Sequence, residues 1–254
     1  MSLLAAVLCD IDAVASSQRR KIRVERAYKI AVLGGTGAQG SGLALRLAAA
    51  GHEVTVGSRE EARAAAAAAQ LSARAGRMIA GSDNRTAAAS AELAILTVPY
   101  AVQRATIESV VEQLQGKVLV DSTVPLVPPR VSMVQLPEGQ SAVAAMQRLL
   151  GAKVRVVSAF QNVSAQHLSE LDHSVDCDVL ICGDDRAACD LVISLCADMG
   201  MRGFYAGPIV NSVAAEALTS VLITINRRYK VAGAGFCITG LPGNDVRVVR
   251  CPMR

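Results

Sequence analysis

The stretch IAVLGGTGAQGSG, residues 30–42, sets five glycines between Gly34 and Gly42 directly behind a short apolar run. Within it, Gly35, Thr36, Gly37, Ala38, Gln39 and Gly40 match the spacing GxGxxG, follow a predicted strand and open a predicted helix that continues LALRLAAAGH. In that context the first glycine permits a tight turn, the second lets backbone approach a pyrophosphate, and the third lets helix and sheet pack closely. Unpaired N–H groups of the first helical turn then hold the phosphates. A lone GxGxxG also fits an ordinary strand-to-helix turn; here its position, its length and the strand that follows favour binding.

Short β-branched runs, KIAVLG (29–34), HEVTVG (52–57), LAILTV (93–98), KVLVDS (117–122), VRVVSA (154–159) and DVLICG (178–183), alternate with stretches rich in Ala, Leu and charge. Runs of this kind are strands buried on both faces, and the segments between them are crossover helices. EEARAAAAAAQLSARAG, from Glu60, has the high helix propensity such a crossover needs. The expected fold is α/β: a Rossmann-type, doubly wound, mainly parallel sheet. From Gly207, GPIVNSVAAEALTSVLITINRR reads as one long helix starting just after Pro208, followed by the glycine-spaced VAGAGFCITGLPG, together a small C-terminal helical cap. The expected division is 1–28 as an N-terminal extension, 29–207 as the nucleotide-binding domain, and 208–254 as cap and tail.

With 254 residues and 52% apolar content, the chain can fill a large core. Its net charge of +4 is too mild and dispersed for a nucleic-acid footprint. Charges interrupt each apolar segment before the ~18 residues of a membrane span, and no basic region precedes MSLLAAVLC, so neither a span nor a secretory leader is expected. The seven cysteines, Cys9, Cys177, Cys182, Cys189, Cys196, Cys237 and Cys251, are odd in number and never spaced CxxC, which argues against a disulfide framework and a zinc site and fits a reducing, cytoplasmic setting.

At the end of the second run an NAD-specific site would carry an acidic side chain for the ribose 2′-hydroxyl. This chain has Ser58 and Arg59 there, with Arg63 one helical turn further on. A hydroxyl and guanidinium groups suit a 2′-phosphate, so the expected cofactor is NADP(H). Solvated residues at a helix start are the bland alternative, although the helix dipole disfavours cations there unless an anion is bound. LTVPY places Val98 and Pro99 at a carboxyl edge where doubly wound folds bind ligands, or else simply starts a helix with Pro.

VLGGTGAQGSGLALRLAAAGHEVTVGSR, LTVP, VVSAFQNVSA, VLICGDD and AGPIVNSVAAEALTSVLITIN together resemble the NADP-dependent oxidoreductases of coenzyme F420, over about Lys29 to Leu241. The first half is more distantly similar to pyrroline-5-carboxylate reductases and the cytoplasmic domain of ferric reductases. The resemblance implies reversible hydride transfer between the nicotinamide C4 and the deazaflavin C5, with the rings stacked between the large domain and the cap. Thr36 to Gly40 would hold the pyrophosphate, Ser58, Arg59 and Arg63 the 2′-phosphate, and Val98 and Pro99 would flank the nicotinamide. The deazaflavin side would draw on Ala159, Phe160, Gln161, Asn162, Val163, Pro208, Asn211 and Phe236, with Asn162 and Asn211 bonding ring carbonyls and Phe160 or Phe236 packing on the ring. Family members often carry a histidine where Gln161 stands; Gln donates and accepts hydrogen bonds and carries no proton charge.

A pterin-like heterocycle as the acceptor is one alternative. Another is an NADPH-dependent imine or keto reductase, for which Tyr229 and Lys230 are the candidate proton donors; a third is a non-catalytic NADPH-binding sensor. No metal site is expected, because His167 and His173 are six residues apart. His52 reads as a surface or packing residue, Asp184 and Asp185 as helix caps, Cys182 as core, and Glu216 as a surface charge. The apolar cap segment VAAEALTSVLITI suggests a homodimer through the C-terminal helix, with covering of its own sheet as the alternative.

Overall fold

The computed structural model describes residues 26–139 and 141–241, so most of the expected N-terminal extension and the end of the tail lie outside the described residues. Eight strands form one sheet in the order β3-β2-β1-β4-β5-β6-β7-β8. They are β1 (Lys29–Leu33), β2 (Glu53–Ser58), β3 (Ile79–Asp83), β4 (Leu93–Leu96), β5 (Val118–Asp121), β6 (Arg155–Ser158), β7 (Asp178–Gly183) and β8 (Arg202–Tyr205). The first six are parallel. β7 runs antiparallel to β6, and β8 parallel to β7. The order reverses between β1 and β4, the point at which open α/β sheets bind ligands beyond their carboxyl ends.

All six strands expected from the sequence form, within one or two residues of the apolar runs. β3 and β8 are additional, and both are edge strands. Alternation along β1 sends Ile30 and Val32 into one core and Ala31 and Leu33 into the other, so both faces are buried. The first core lies under α1 (Ala38–Ala50), α2 (Glu61–Ala75) and α7 (Arg186–Asp198). The second lies under α3 (Asn84–Ser90), α4 (Tyr100–Val110) and α5 (Ala142–Leu150). A short helix, α6 (Ala165–Ser169), follows β6 and packs on α1.

The C-terminal element is not one continuous α-helix from Gly207. A 3-10 turn, Ile209–Asn211, precedes α8 (Ser212–Tyr229), because Asp184 Oδ1 accepts the Ile209 N–H at 2.9 Å and fixes the chain there. By length and composition Ile209–Tyr229 would pass for a membrane span, with mean hydropathy 1.4; here Ala215, Glu216, Ser220 and Leu222 are buried against the domain.

Candidate active site

The glycine loop leaves β1 with its left-handed residue at Gly34, φ 73°, one position before the fingerprint. The loop is tied to its neighbours by Gly35 N donating to Gly57 O at 3.0 Å and Gly34 N donating to Asn84 Oδ1 at 3.3 Å. At Gly40 a Cβ would lie 2.4 Å from Thr97 Oγ1 and 2.7 Å from Gly35 Cα, so this glycine is required by packing. Gly37 differs: its nearest protein atom would be Gly34 O at 3.6 Å, and the residue is exposed. Nothing among the described residues requires Gly37 to be bare, whereas a phosphate approaching the backbone would. Gly37 is also the N-cap of α1 and supplies no side-chain acceptor, leaving the first-turn N–H groups open to an anion.

Ser58, at the end of β2, is buried, and its Oγ accepts the Glu60 N–H at 3.3 Å. Arg59 and Arg63 are exposed on the same shoulder, and neither takes part in an ion pair among the described residues. Val98 and Pro99 follow β4, with Pro99 capping α4 and Val98 Cγ1 lying over Gly34. These residues bracket the switch point between β1 and β4.

The acceptor-side residues are arranged differently from the expectation. Ala159 and Phe160 are fully buried, and Phe160 belongs to the core, so its ring is not available to stack on a ligand. Phe160 also has φ 71°, an unusual backbone state for a bulky residue that needs surrounding contacts to hold it. Gln39 supplies one, its Nε2 donating to Phe160 O at 3.0 Å, so this side chain is spent within the protein. Asn162 Nδ2 donates to Ala215 O at 2.8 Å and to Thr219 Oγ1 at 3.0 Å, which uses both of its N–H bonds and leaves none for a ring carbonyl. Asn211 Nδ2 donates to Ala206 O at 2.8 Å, a bond that braces the turn before α8. Pro208 is exposed, Val163 is buried, and Phe236 is half-buried, its carbonyl accepting the Asp178 N–H at 2.9 Å.

Gln161 is 6% exposed; its Nε2 donates to Asp121 O and Ser158 Oγ, while its buried Oε1 has no partner among the described residues. Residues 161–166 line an open cavity of about 300 Å³ together with Thr219, Leu222, Ile223 and Asn226 of α8 and with Ala232 and Ala234. Two larger hollows, of about 660 and 550 Å³, contain none of the candidate cofactor or substrate residues.

Below the carboxyl edge of β5 lie two buried acids. Asp121 accepts from Gln103 Nε2 at 2.6 Å and from Thr123 N at 2.9 Å, and burial pushes its carboxyl above the usual range. Glu216 is not on the surface: it is 1% exposed and accepts from Ser141 Oγ, Ala142 N and Val143 N, because α8 lies across the open start of α5. Burial raises its pKa as well, and the nearby Asp121 adds to the effect. Of the remaining expectations, Cys182 is core, and Asp185 caps α7 through Ala188 N while Asp184 instead holds Ile209. His52 is buried with its Nδ1 accepting the Tyr28 N–H. His167 and His173 stack on one another at 4.3 Å, and no metal-ligating cluster occurs among the described residues. Tyr229 is 67% exposed at the end of α8, which removes it as a proton donor in a closed cleft.

A family model described as NADP oxidoreductase, coenzyme F420-dependent, matches residues 29–125. The F420-dependent NADP reductase of Methanothermobacter marburgensis is 44% identical over 222 residues, covering 84% of this chain and 99% of that protein. The chain belongs to the F420-dependent NADP reductases. The reductase of that name from Methanocaldococcus jannaschii is 40% identical over the same shares of the two chains. Among solved structures, a candidate F420-dependent NADP reductase from Arthrobacter sp. FB24 superposes with a TM-score of 0.70 at 28% identity, covering 84% of this chain and 99% of that one. An imine reductase from Bacillus cereus, with a TM-score of 0.54 at 22% identity, shares the fold over 80% of this chain and 62% of its own. The family membership implied by the sequence motifs is thus borne out, and it extends to the relatives' full length.

Proposed function

We propose that this F420-dependent NADP reductase transfers a hydride between the nicotinamide of NADP(H) and the deazaflavin of coenzyme F420, with the nucleotide seated on the open N-terminus of α1. The observation that carries this reading is the bare, exposed Gly37 at that terminus, with Arg59 and Arg63 exposed on the adjoining shoulder and in no ion pair among the described residues. The backbone of Thr36 to Gly40 holds the pyrophosphate, and Ser58, Arg59 and Arg63 hold the 2′-phosphate. Val98 and Pro99 flank the nicotinamide, and Gln161 and Val163, which line the cavity beside α8, face the acceptor. Both co-substrates are intrinsic hydride carriers, so the protein's work is to bring the rings together and exclude water. Reduction of the deazaflavin by NADPH takes up one hydride and one proton; oxidation by NADP⁺ releases both.

The division into a nucleotide-binding domain, 29–207, and a cap, from 208 onward, belongs to the same proposal, as does a cytoplasmic setting, for which the free Cys177, Cys182, Cys189, Cys196 and Cys237 are the support. A homodimer through α8 is supported by the exposed apolar side chains Val210 and Val221 on the cap and Met133 and Val134 on the loop beside it, joined to α8 through Thr224 Oγ1 donating to Ser132 O. A monomeric mass by light scattering at micromolar concentration would remove the dimer. The activity is tested by mixing protein, oxidised F420 and either NADPH or NADH, and following the deazaflavin absorbance. NADPH-dependent bleaching with little from NADH is expected; no bleaching while NADPH binds would move the acceptor to another heterocycle.

A further inference from the structure

Helix α1 does two jobs with two sides of its first turns. Its N-terminal backbone forms the nucleotide cradle, while Gln39, Gly42 and Arg46, at helical spacings of three and four, present one face to the segment that follows β6. Gln39 Nε2 donates to Phe160 O at 3.0 Å. Gly42 lets α6 come so close that a Cβ there would lie 2.6 Å from Leu168 Cβ. Arg46, itself buried, donates to the carbonyls of His167, Leu168, Glu170 and His173. One helix thus grips the chain from Phe160 to His173, and with it the cavity-lining residues Gln161 to Gln166.

The three contacts are not equivalent. Gly42 and Arg46 hold α6 and the turn after it, away from the glycine loop. Gln39 lies inside the fingerprint and fastens Phe160, whose left-handed backbone immediately precedes Gln161. From the other side, Thr219 Oγ1 of α8 donates to Gln161 O at 3.0 Å. The orientation of Gln161 is therefore set between a nucleotide-binding helix and the cap helix.

We propose that Gln39 is a positioning residue that couples the two subsites: its backbone belongs to the nucleotide cradle, and its side chain fixes the Phe160–Gln161 turn against which the acceptor docks. Nucleotide binding orders the start of α1, Gln39 passes that order to the turn, and the acceptor then binds more tightly to the nucleotide complex than to the free protein. The coupling is reciprocal: the acceptor tightens the nucleotide by the same factor. The inference rests on the proposed placement of the two co-substrates.

The test uses NADP⁺ with oxidised F420, a pair that cannot exchange a hydride, so that binding alone is read. Titration calorimetry gives the F420 affinity of the free and the NADP⁺-saturated protein, for the natural chain and for Gln39→Met, which keeps length and removes the donor without adding charge. The natural chain is expected to bind F420 about 5-fold or more tightly when NADP⁺ is present, the low end of ordinary coupling between sites. Gln39→Met is expected to bring that factor close to one and to slow single-turnover hydride transfer by about 10-fold or more, the scale of a small misplacement of reacting groups. Its NADP⁺ affinity in the absence of F420 and its thermal midpoint should stay near those of the natural chain, since the backbone cradle remains. A natural chain without coupling, or a Gln39→Met protein that keeps both the coupling and the transfer rate, would overturn the proposal. The natural chain's reaction with NADPH, run in parallel, separates the two ideas: turnover there with unaltered Gln39→Met coupling defeats the tether alone, whereas binding of NADPH without turnover defeats the acceptor assignment.

Discussion

Glu216 caps a helix that is not its own: its Oε2 accepts the Ala142 N–H at 2.8 Å, at the start of α5, from a position one turn into α8. Its Oε1 also accepts from Ser141 Oγ and Val143 N, and Ser141 and Ser212 are joined by a hydroxyl contact of 2.6 Å. A negative group at a helix N-terminus is favoured by the dipole and by the unpaired N–H groups. Helix α8 is thus fastened to the start of α5 through a buried carboxylate.

Removing that fastening should loosen the cap. Glu216→Ala leaves buried N–H groups without an acceptor and is expected to destabilise the fold by about 1–3 kcal/mol. Urea unfolding would show a lower midpoint, and hydrogen exchange would rise in α8 and at the start of α5. Unchanged exchange in both places would show that apolar packing alone holds the cap.

The two loop glycines should separate folding from binding. Gly40→Ala places a Cβ 2.4 Å from Thr97 Oγ1 and 2.7 Å from Gly35 Cα, and such overpacking costs about 1–3 kcal/mol. Gly37→Ala meets no atom of the described residues closer than 3.6 Å, so its melting temperature should match the natural chain. Its NADPH affinity should nevertheless fall by about 10-fold or more, since 1.4 kcal/mol is a factor of ten. Equal affinity in Gly37→Ala, measured by calorimetry, would place the pyrophosphate elsewhere.

Arg59→Ala should discriminate between the two nicotinamide dinucleotides. Loss of a charged contact to the 2′-phosphate costs about 1.5–3 kcal/mol, roughly 10- to 150-fold in NADPH affinity, while NADH has no such group to lose. Parallel losses for both nucleotides would show that Arg59 acts through the fold of the shoulder.

Asp121 supplies a pH signature. Its carboxyl is pushed above the ordinary range by burial, so the folded chain holds the proton at pH values where the unfolded chain has released it. Stability therefore falls as pH rises from the unfolded value, about 3.9, to the raised folded one. Asp121→Asn cannot ionise, and rotation of the Gln103 amide would restore the bond now made at 2.6 Å. The melting temperature of Asp121→Asn relative to the natural chain should increase as pH is raised from about 4 through that window. A difference independent of pH would contradict the raised carboxyl.

Much of the fold was legible because its central strands are buried on both faces and read as continuous apolar runs. The two strands that escaped, IAGSD in β3 and RGFY in β8, are the sheet's edges, where exposure removes that signal. The reversal at β7 was not legible, since an apolar run carries no direction. The proposed nucleotide side of the site was local in sequence: loop, shoulder and β4 edge each carry their own motif. The acceptor side was not. Whether Asn162 faces a ligand or Thr219, and whether Glu216 faces water or Ala142, depends on contacts across 57 and 74 positions that helical periodicity cannot reveal. Phe160 illustrates the same limit, because an aromatic residue near a site has the same sequence appearance whether it stacks on a ligand or fills the core.

The most direct measurement is the fate of a deuterium label. NADPH carrying deuterium at the transferable C4 position is reacted with oxidised F420 on the enzyme, and the reduced deazaflavin is analysed by mass spectrometry. Two rings held face to face in a site that excludes water should deliver one deuterium to C5 of the product, with none lost to solvent. Reduced F420 carrying solvent hydrogen at C5 would contradict direct transfer between the two subsites.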